Sequence, residues 1–182
     1  MEILTICGSL RKGSFNKAVV RLLPSLAPAA MRFSEAPSFA TFPLYNADDQ
    51  NANGFPADVV ALGDAIRKAD GVIVVSPEYN YSVPGALKNA LDWVSRLKEQ
   101  PFAGKPVALM SASGGPLGGA RMQYHMRQIM VFLNAQVFNT PEIFVATAQN
   151  KINDKGEVTD ETTKDFIGKQ LAAFEKFVAK NG

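Results

Sequence analysis

Residues 3–16 read Ile3-Leu4-Thr5-Ile6-Cys7-Gly8-Ser9-Leu10-Arg11-Lys12-Gly13-Ser14-Phe15-Asn16, an apolar run followed by a polar loop that contains two glycines. A near-continuous apolar run is typical of a strand covered by helices on both faces of a parallel sheet. The segment 16–26 that follows the loop has the apolar spacing of a helix. The order of strand, loop and helix predicts the first unit of an α/β fold.

Apolar runs and helical patterns continue to alternate along the chain. The runs predict strands at 71–75 and 106–110, with weaker candidates at 31–33 and across 136–145, where Pro141 interrupts the pattern. Helical spacing predicts further helices that contain residues 59–66, 84–97, 122–133 and 166–178. Five strands and five helices in alternation predict a flavodoxin-like α/β fold, a doubly wound five-stranded parallel sheet in the order 2-1-3-4-5 with helices on both faces.

Length and composition limit what the protein can be. A chain of 182 residues is expected to form a single domain, 1–182, since a domain usually takes about 100–200 residues. The net charge of +2 argues against nucleic acid or a membrane as partner. The single cysteine, Cys7, rules out a disulfide framework or a zinc site built from cysteines, and we read no secretory signal. We therefore expect a cytoplasmic protein without a bound metal.

The loop after the first strand has the chemistry of a phosphate site. The following helix offers backbone N–H groups and the positive end of its dipole. Ser9, Ser14 and Asn16 add neutral donors, and Arg11 adds a cationic fork. The loop 8–16 is therefore predicted to bind an anion. The alternative is an ordinary polar turn with a serine N-cap, which would contain the same types of residue.

The type of phosphate follows from what this loop lacks. Ser14 and Phe15 stand where a nucleoside triphosphate loop needs Lys and Ser or Thr. Leu10 stands where a dinucleotide fingerprint needs its second glycine. Several hydroxyl and amide donors with one arginine favour a terminal phosphate monoester, as in FMN.

The loop after the third strand, Ser76-Pro77-Glu78-Tyr79-Asn80-Tyr81-Ser82-Val83-Pro84-Gly85, suits a flavin ring. In the order 2-1-3-4-5, strands one and three are neighbours, and FMN binds where their connections diverge. The Asn80 amide and backbone groups can form hydrogen bonds with the pyrimidine edge of the flavin, and Tyr79 and Tyr81 can flank its ring. The alternative is that the tyrosines only anchor the loop and that Glu78 is solvated.

A third loop, Ser111-Ala112-Ser113-Gly114-Gly115-Pro116-Leu117-Gly118-Gly119, follows the fourth strand at the same sheet edge. Its four glycines allow the backbone to approach a ligand closely, although glycines can also serve a turn alone.

These motifs resemble the NADPH-dependent FMN reductase family, closest to the soluble quinone- and chromate-reducing flavoproteins of bacteria. The resemblance rests on 8–16, on 77–85 with the following Leu87-Lys88-Asn89-Ala90, and on Gly118-Gly119-Ala120-Arg121 with Gln123-Tyr124-His125. It implies non-covalent FMN held by Ser9, Arg11, Ser14, Phe15 and Asn16, by Pro77, Glu78, Tyr79 and Asn80, and by Ser113 and Gly114. It also implies a homodimer or homotetramer, with Arg121, Tyr124 and Glu142 at an interface.

The expected function is FMN-dependent electron transfer from NADPH or NADH to a small acceptor by a ping-pong route. Quinones, chromate, azo compounds and free flavin are the acceptors that the resemblance suggests. No catalytic side chain is expected, because the cofactor itself carries the chemistry. We interpret His125 as a packing or interface residue. A flavodoxin-style electron carrier and an FMN-binding scaffold are the alternative functions.

Overall fold

The computed structural model describes residues 1–181, in which strands and helices alternate. Their bounds are β1 (Glu2–Cys7), α1 (Phe15–Leu26), β2 (Arg32–Glu35), α2 (Ala47–Asn53), α3 (Ala57–Lys68), β3 (Gly71–Val75), α4 (Gly85–Val94), β4 (Pro106–Ala112), α5 (Ala120–Phe132), β5 (Gln136–Val137), β6 (Ile143–Val145), a 3-10 turn (Ala148–Asn150) and α6 (Glu161–Asn181). Within residues 1–181, no helix combines the length and the apolar character needed to cross a membrane.

All strands of the sheet are parallel, in the order β2-β1-β3-β4-β5. The flavodoxin-like fold is therefore confirmed. The fifth strand is present as two short pieces on one edge of β4: β5 pairs with its beginning and β6 with its end. Pro141 lies between the pieces, where its missing N–H cannot contribute to a ladder.

Helices cover the sheet on both faces because successive residues of a strand point to opposite sides. Ile73 and Val75 of β3 pack in a core with α1 and α6. Val72 and Val74 pack in a second core with α3, α4 and α5. Strand β3 thus buries both faces, which explains its uninterrupted apolar sequence.

Three local features differ from the sequence predictions. Helix α2 was not predicted, because residues 47–53 are mostly polar and the helix buries none of them; it begins after Asn46, whose side chain caps the Asp48 N–H. Helix α4 ends at Val94, and residues 95–97 form a turn. Helix α6 is longer than the predicted segment 166–178, and the apolar Phe166 within it lies outside the core, with its side chain 51% exposed.

Candidate functional site

Three loops meet at the carboxyl ends of β1, β3 and β4 and enclose a cavity of about 230 Å³. Its walls comprise Ser9, Arg11, Ser14, Phe15, Asn16, Pro77, Glu78, Tyr79, Ala112, Ser113 and Gly114. Of the eleven residues predicted to bind a cofactor, all except Asn80 line this cavity. The fold thus brings the three sequence motifs to one place, although their role in binding stays a prediction.

The first loop lies tightly against the end of β3. The Gly8 N–H donates to the Val75 carbonyl at 2.9 Å. A Cβ atom at Gly8 would lie 2.2 Å from Ser76 Oγ and 2.9 Å from Leu87 Cδ2. Only glycine therefore allows the loop to turn at this point.

Unpaired donors surround the start of α1. Ser14 is the N-cap, and its Oγ accepts from the N–H groups of Asn16 and Lys17 at 3.2 and 3.4 Å. Within residues 1–181, the Ser9 and Phe15 N–H groups have no acceptor, and the Ser9 and Ser14 hydroxyls donate to none. Such donors at a helix N-terminus form a site for an anion.

The Arg11 side chain folds back over the first loop. Its Nη2 donates to the Gly13 carbonyl at 2.6 Å. The guanidinium carbon lies 5.6 Å from the centroid of the Phe15 ring. The positive charge is therefore held beside the cavity wall, where it favours an anionic ligand.

Asn16 differs from its predicted role as a free donor. Its Nδ2 donates to the Ala112 carbonyl and its Oδ1 accepts from the Ala112 N–H, both at 2.9 Å. The side chain is almost fully buried. Asn16 therefore ties the first loop to the end of β4. The sequence gives no local sign of this contact, since the partner is 96 residues away.

The second loop contains a tight hairpin. Tyr79 and Ser82 exchange two backbone hydrogen bonds at 3.0 Å. The two residues between them, Asn80 and Tyr81, have φ of 48° and 68°, as in a type I′ turn. The turn places Tyr79 on the cavity wall and Asn80 at the exposed tip.

Glu78 binds the N-terminus of α5 instead of being solvated. Its Oε2 accepts from the Arg121 and Met122 N–H groups at 3.1 and 3.4 Å, and its Oε1 pairs with Arg121 Nη1 at 3.1 Å. The carboxylate side chain is only 12% exposed. The solvated interpretation of Glu78 is wrong, because this helix has no side-chain cap of its own and its free N–H groups attract an anion.

The third loop depends on close approach at its last glycine. Gly119 has φ of 91°, and a Cβ atom there would lie 2.7 Å from Ser111 Cβ. Behind it, the buried Gln123 donates from Nε2 to Ser111 Oγ and to the Ile143 carbonyl, both at 2.8 Å. Gln123 was not among the predicted site residues, and it links the end of β4 to β6.

The three predicted interface residues are not grouped together within the chain. Tyr124 is 52% exposed, and its hydroxyl lies 3.4 Å from Glu142 Oε2. Glu142 also pairs with Arg127 at 3.3 Å. Arg121 turns away toward the second loop. The exposed His125 also contacts the second loop, with its Nδ1 3.0 Å from Ser82 Oγ.

Cys7 lies at the end of β1, in a second hollow beside the first loop. Burial raises the pKa of its thiol, and this effect outweighs the opposing interaction with the Ser9 backbone. A protonated, partly buried thiol is a poor nucleophile. Cys7 instead packs as a small residue against the apolar core.

Comparison with known proteins decides the family. Residues 1–150 match the sequence profile described as NADPH-dependent FMN reductase. The chain belongs to this family. This chain is 55% identical to a quinone reductase of Escherichia coli, over 99% of this chain and 96% of the relative.

Two further relatives extend the likeness. An NAD(P)H-dependent FMN reductase of Pseudomonas aeruginosa is 43% identical over 99% of this chain and 96% of its own. The structure of FerB, a flavoenzyme NAD(P)H:(acceptor) oxidoreductase of Paracoccus denitrificans, superposes with a TM-score of 0.88 at 33% identity, covering 100% of this chain and 98% of the other. This protein is thus an enzyme that uses FMN with NAD(P)H as electron donor, as predicted.

Proposed function

We propose that this enzyme binds FMN in the three-loop cavity and passes electrons from NAD(P)H to small acceptors, with quinones as the principal class. The observation that carries the proposal is the convergence of three motifs, far apart in sequence, on one cavity at the carboxyl ends of β1, β3 and β4. Ligands of open α/β sheets bind at this edge, where neighbouring connections diverge. The quinone reductase name of the Escherichia coli relative supports the choice of acceptor.

The donors around the start of α1 fit a phosphate monoester. The hydroxyls of Ser9 and Ser14 and the N–H of Phe15 are free to donate, and Arg11 supplies a positive charge at the rim. These donors, together with the helix dipole, match the oxygens and charge of the FMN phosphate.

The second and third loops would hold the flavin ring. Pro77 and Tyr79 form one wall of the cavity, and Ser113 and Gly114 form another. The cavity volume of about 230 Å³ is below the ~300–1,000 Å³ usual for enclosed ligand pockets. A cavity of this size would leave part of a bound cofactor open to a nicotinamide or an acceptor.

The protein contributes binding and orientation to the reaction. Bound FMN supplies the hydride and electron chemistry. Ser9, Ser14 and Arg11 would hold the phosphate end of the cofactor, and Pro77 and Tyr79 would cover part of its ring. A cavity that is open on one side would admit the donor first and the acceptor afterwards, which is the basis for a ping-pong order. No side chain is required as general acid or base.

Anaerobic addition of NADPH to the FMN-loaded enzyme tests this function. We expect the flavin absorption band to bleach rapidly and to return when a quinone is added in excess. NADH in a parallel experiment establishes the donor preference, and chromate, an azo compound and free flavin replace the quinone in turn. A band that bleaches only after a separate reductase protein is added would identify an electron carrier instead.

We further propose that the enzyme is a homodimer or homotetramer and that the solvent-facing side of α5 forms a contact. Val131 and Phe132 at the end of this helix are 78% and 73% exposed, and the exposed Tyr124 precedes them in the same helix. Apolar surface of this kind on one helix marks an interaction site. The exposed hydrogen bond between Tyr124 and Glu142 adds a polar pair beside this helix, and it supports the proposal.

We also propose that residues 1–182 form one domain that works in the cytoplasm. The single Cys7 suits a reducing compartment, where structural disulfides are rare. Fractionation with an antibody would test the location, and a single unfolding transition would support one domain.

A further inference from the structure

Helix α5 is fastened to the second loop by its first two turns. Arg121 Nη1 pairs with Glu78 Oε1 at 3.1 Å, and its guanidinium carbon lies 3.8 Å from the centroid of the Tyr81 ring. One turn later, His125 Nδ1 lies 3.0 Å from Ser82 Oγ. The loop therefore contacts the helix on both sides of its tight turn. The Arg121 side chain contacts two loop residues, Glu78 and Tyr81.

The loop needs such support because its backbone is unfavourable. Asn80 and Tyr81 both have positive φ, a region that residues with a Cβ atom rarely occupy. Backbone of this kind persists where surrounding contacts hold it. A cation over an aromatic face at this distance is attractive, so Arg121 stabilises the Tyr81 conformation directly.

Arg121 also balances charge at the cavity wall. Glu78 lines the cavity, and its carboxylate is largely buried. An unpaired carboxylate there would repel a cofactor that gains electrons, since a buried charge is weakly screened. The guanidinium beside Glu78 cancels this repulsion.

We propose that Arg121 is a positioning residue for FMN: it holds the second loop in its binding shape and neutralises Glu78 beside the reducible ring. This inference rests on the proposed function, because it takes the cavity to be the FMN site. It assigns Arg121 a role inside its own chain, separate from the interface implied by the family resemblance.

The loop-holding role can be tested on the protein without FMN. Chymotrypsin cleaves after exposed tyrosines, and Tyr79 and Tyr81 are both exposed. We expect Arg121→Met to raise the rate of cleavage at these two sites about tenfold, as loss of one charge-assisted contact implies. Arg96→Met is the matched control, because Arg96 stacks on Tyr45 at 5.2 Å, outside this loop. Its cleavage rate at the two tyrosines should equal that of the wild type.

Loss of assembly must be separated from loss of the loop contact. Tyr124→Ala keeps Arg121 and its partners intact while changing the proposed interface. Faster cleavage at Tyr79 and Tyr81 in Arg121→Met, with no acceleration in Tyr124→Ala, supports the inference. Equal acceleration in both variants would show that subunit separation exposes the loop, and would overturn it.

The charge-balancing role is tested with FMN. We expect Arg121→Met to weaken FMN binding roughly tenfold and to move the midpoint potential of the bound flavin to a more negative value. Arg121→Lys keeps the charge and should recover the potential, and Glu78→Gln, which removes the carboxylate, should not lower it. An unchanged potential in Arg121→Met would overturn this role. If the wild type binds no FMN, the proposed function fails, while the cleavage experiment still decides the role of Arg121 in the loop.

Discussion

Replacing Asn16 by Ala should destabilise the protein even without cofactor. The substitution removes two hydrogen bonds of 2.9 Å and leaves the Ala112 N–H and carbonyl without those partners. Both groups lie in a buried part of β4, and each buried group left unsatisfied costs about 1–3 kcal/mol. The free energy of unfolding should therefore fall by about 2–6 kcal/mol. For a chain of this size, a middle value of about 4 kcal/mol corresponds to a fall in Tm of about 8–16 °C.

Urea and thermal unfolding of the apoprotein, followed by circular dichroism, measure this loss. Asn51→Ala is the matched control, because Asn51 is an exposed asparagine within helix α2, and surface changes of this kind stay within about 0.5 kcal/mol. Asn16→Asp should also destabilise, since a carboxylate oxygen would face the Ala112 carbonyl. If Asn16→Ala unfolds within about 1 kcal/mol of the wild type, the side chain does not hold β4, and the loops must be positioned by other contacts.

Three other perturbations test separate parts of the site. Arg11→Ala should weaken FMN binding by roughly 10–150-fold, the loss of one charge-assisted contact to phosphate; full flavin content after purification would contradict the phosphate assignment, and the exposed Arg32→Ala on β2 serves as control. Tyr124→Ala should lower the mass measured by light scattering, and an unchanged mass would remove Tyr124 from the interface. Because burial raises the pKa of Cys7, its reaction with a disulfide reagent should reach half-maximal rate at higher pH in the folded than in the unfolded protein. The raised pKa of Cys7 also stabilises the folded protein below the ordinary thiol pKa, and this stabilisation is lost as pH rises through the pKa of the folded state. Equal reaction midpoints in the folded and unfolded protein would contradict the burial effect.

The sequence was most informative where structure is local or periodic. Strands β1, β3 and β4 follow from their apolar runs, and the parallel order follows from alternation with helices. The short pieces β5 and β6 follow from the interruption at Pro141. Helix α2 could not be found this way, because it buries no residue and so carries no apolar stripe. The single domain stays a prediction.

Contacts between distant residues could not be read from the sequence. The motifs identified which loops form the cavity, because parallel strands place their carboxyl ends at one edge. They did not show that Asn16 bonds to Ala112, or that Glu78 pairs with Arg121, 43 residues away. Each pairing depends on the register and spacing of the folded sheet, and no periodic pattern encodes it.

The structure of the FMN complex, determined by crystallography, tests the central claim most directly. We expect the phosphate within hydrogen-bonding distance of the Ser9 and Ser14 hydroxyls and the Phe15 N–H, with the flavin ring against Pro77. FMN bound elsewhere would contradict the account. One such place is the neighbouring hollow of about 360 Å³, whose lining includes Arg21.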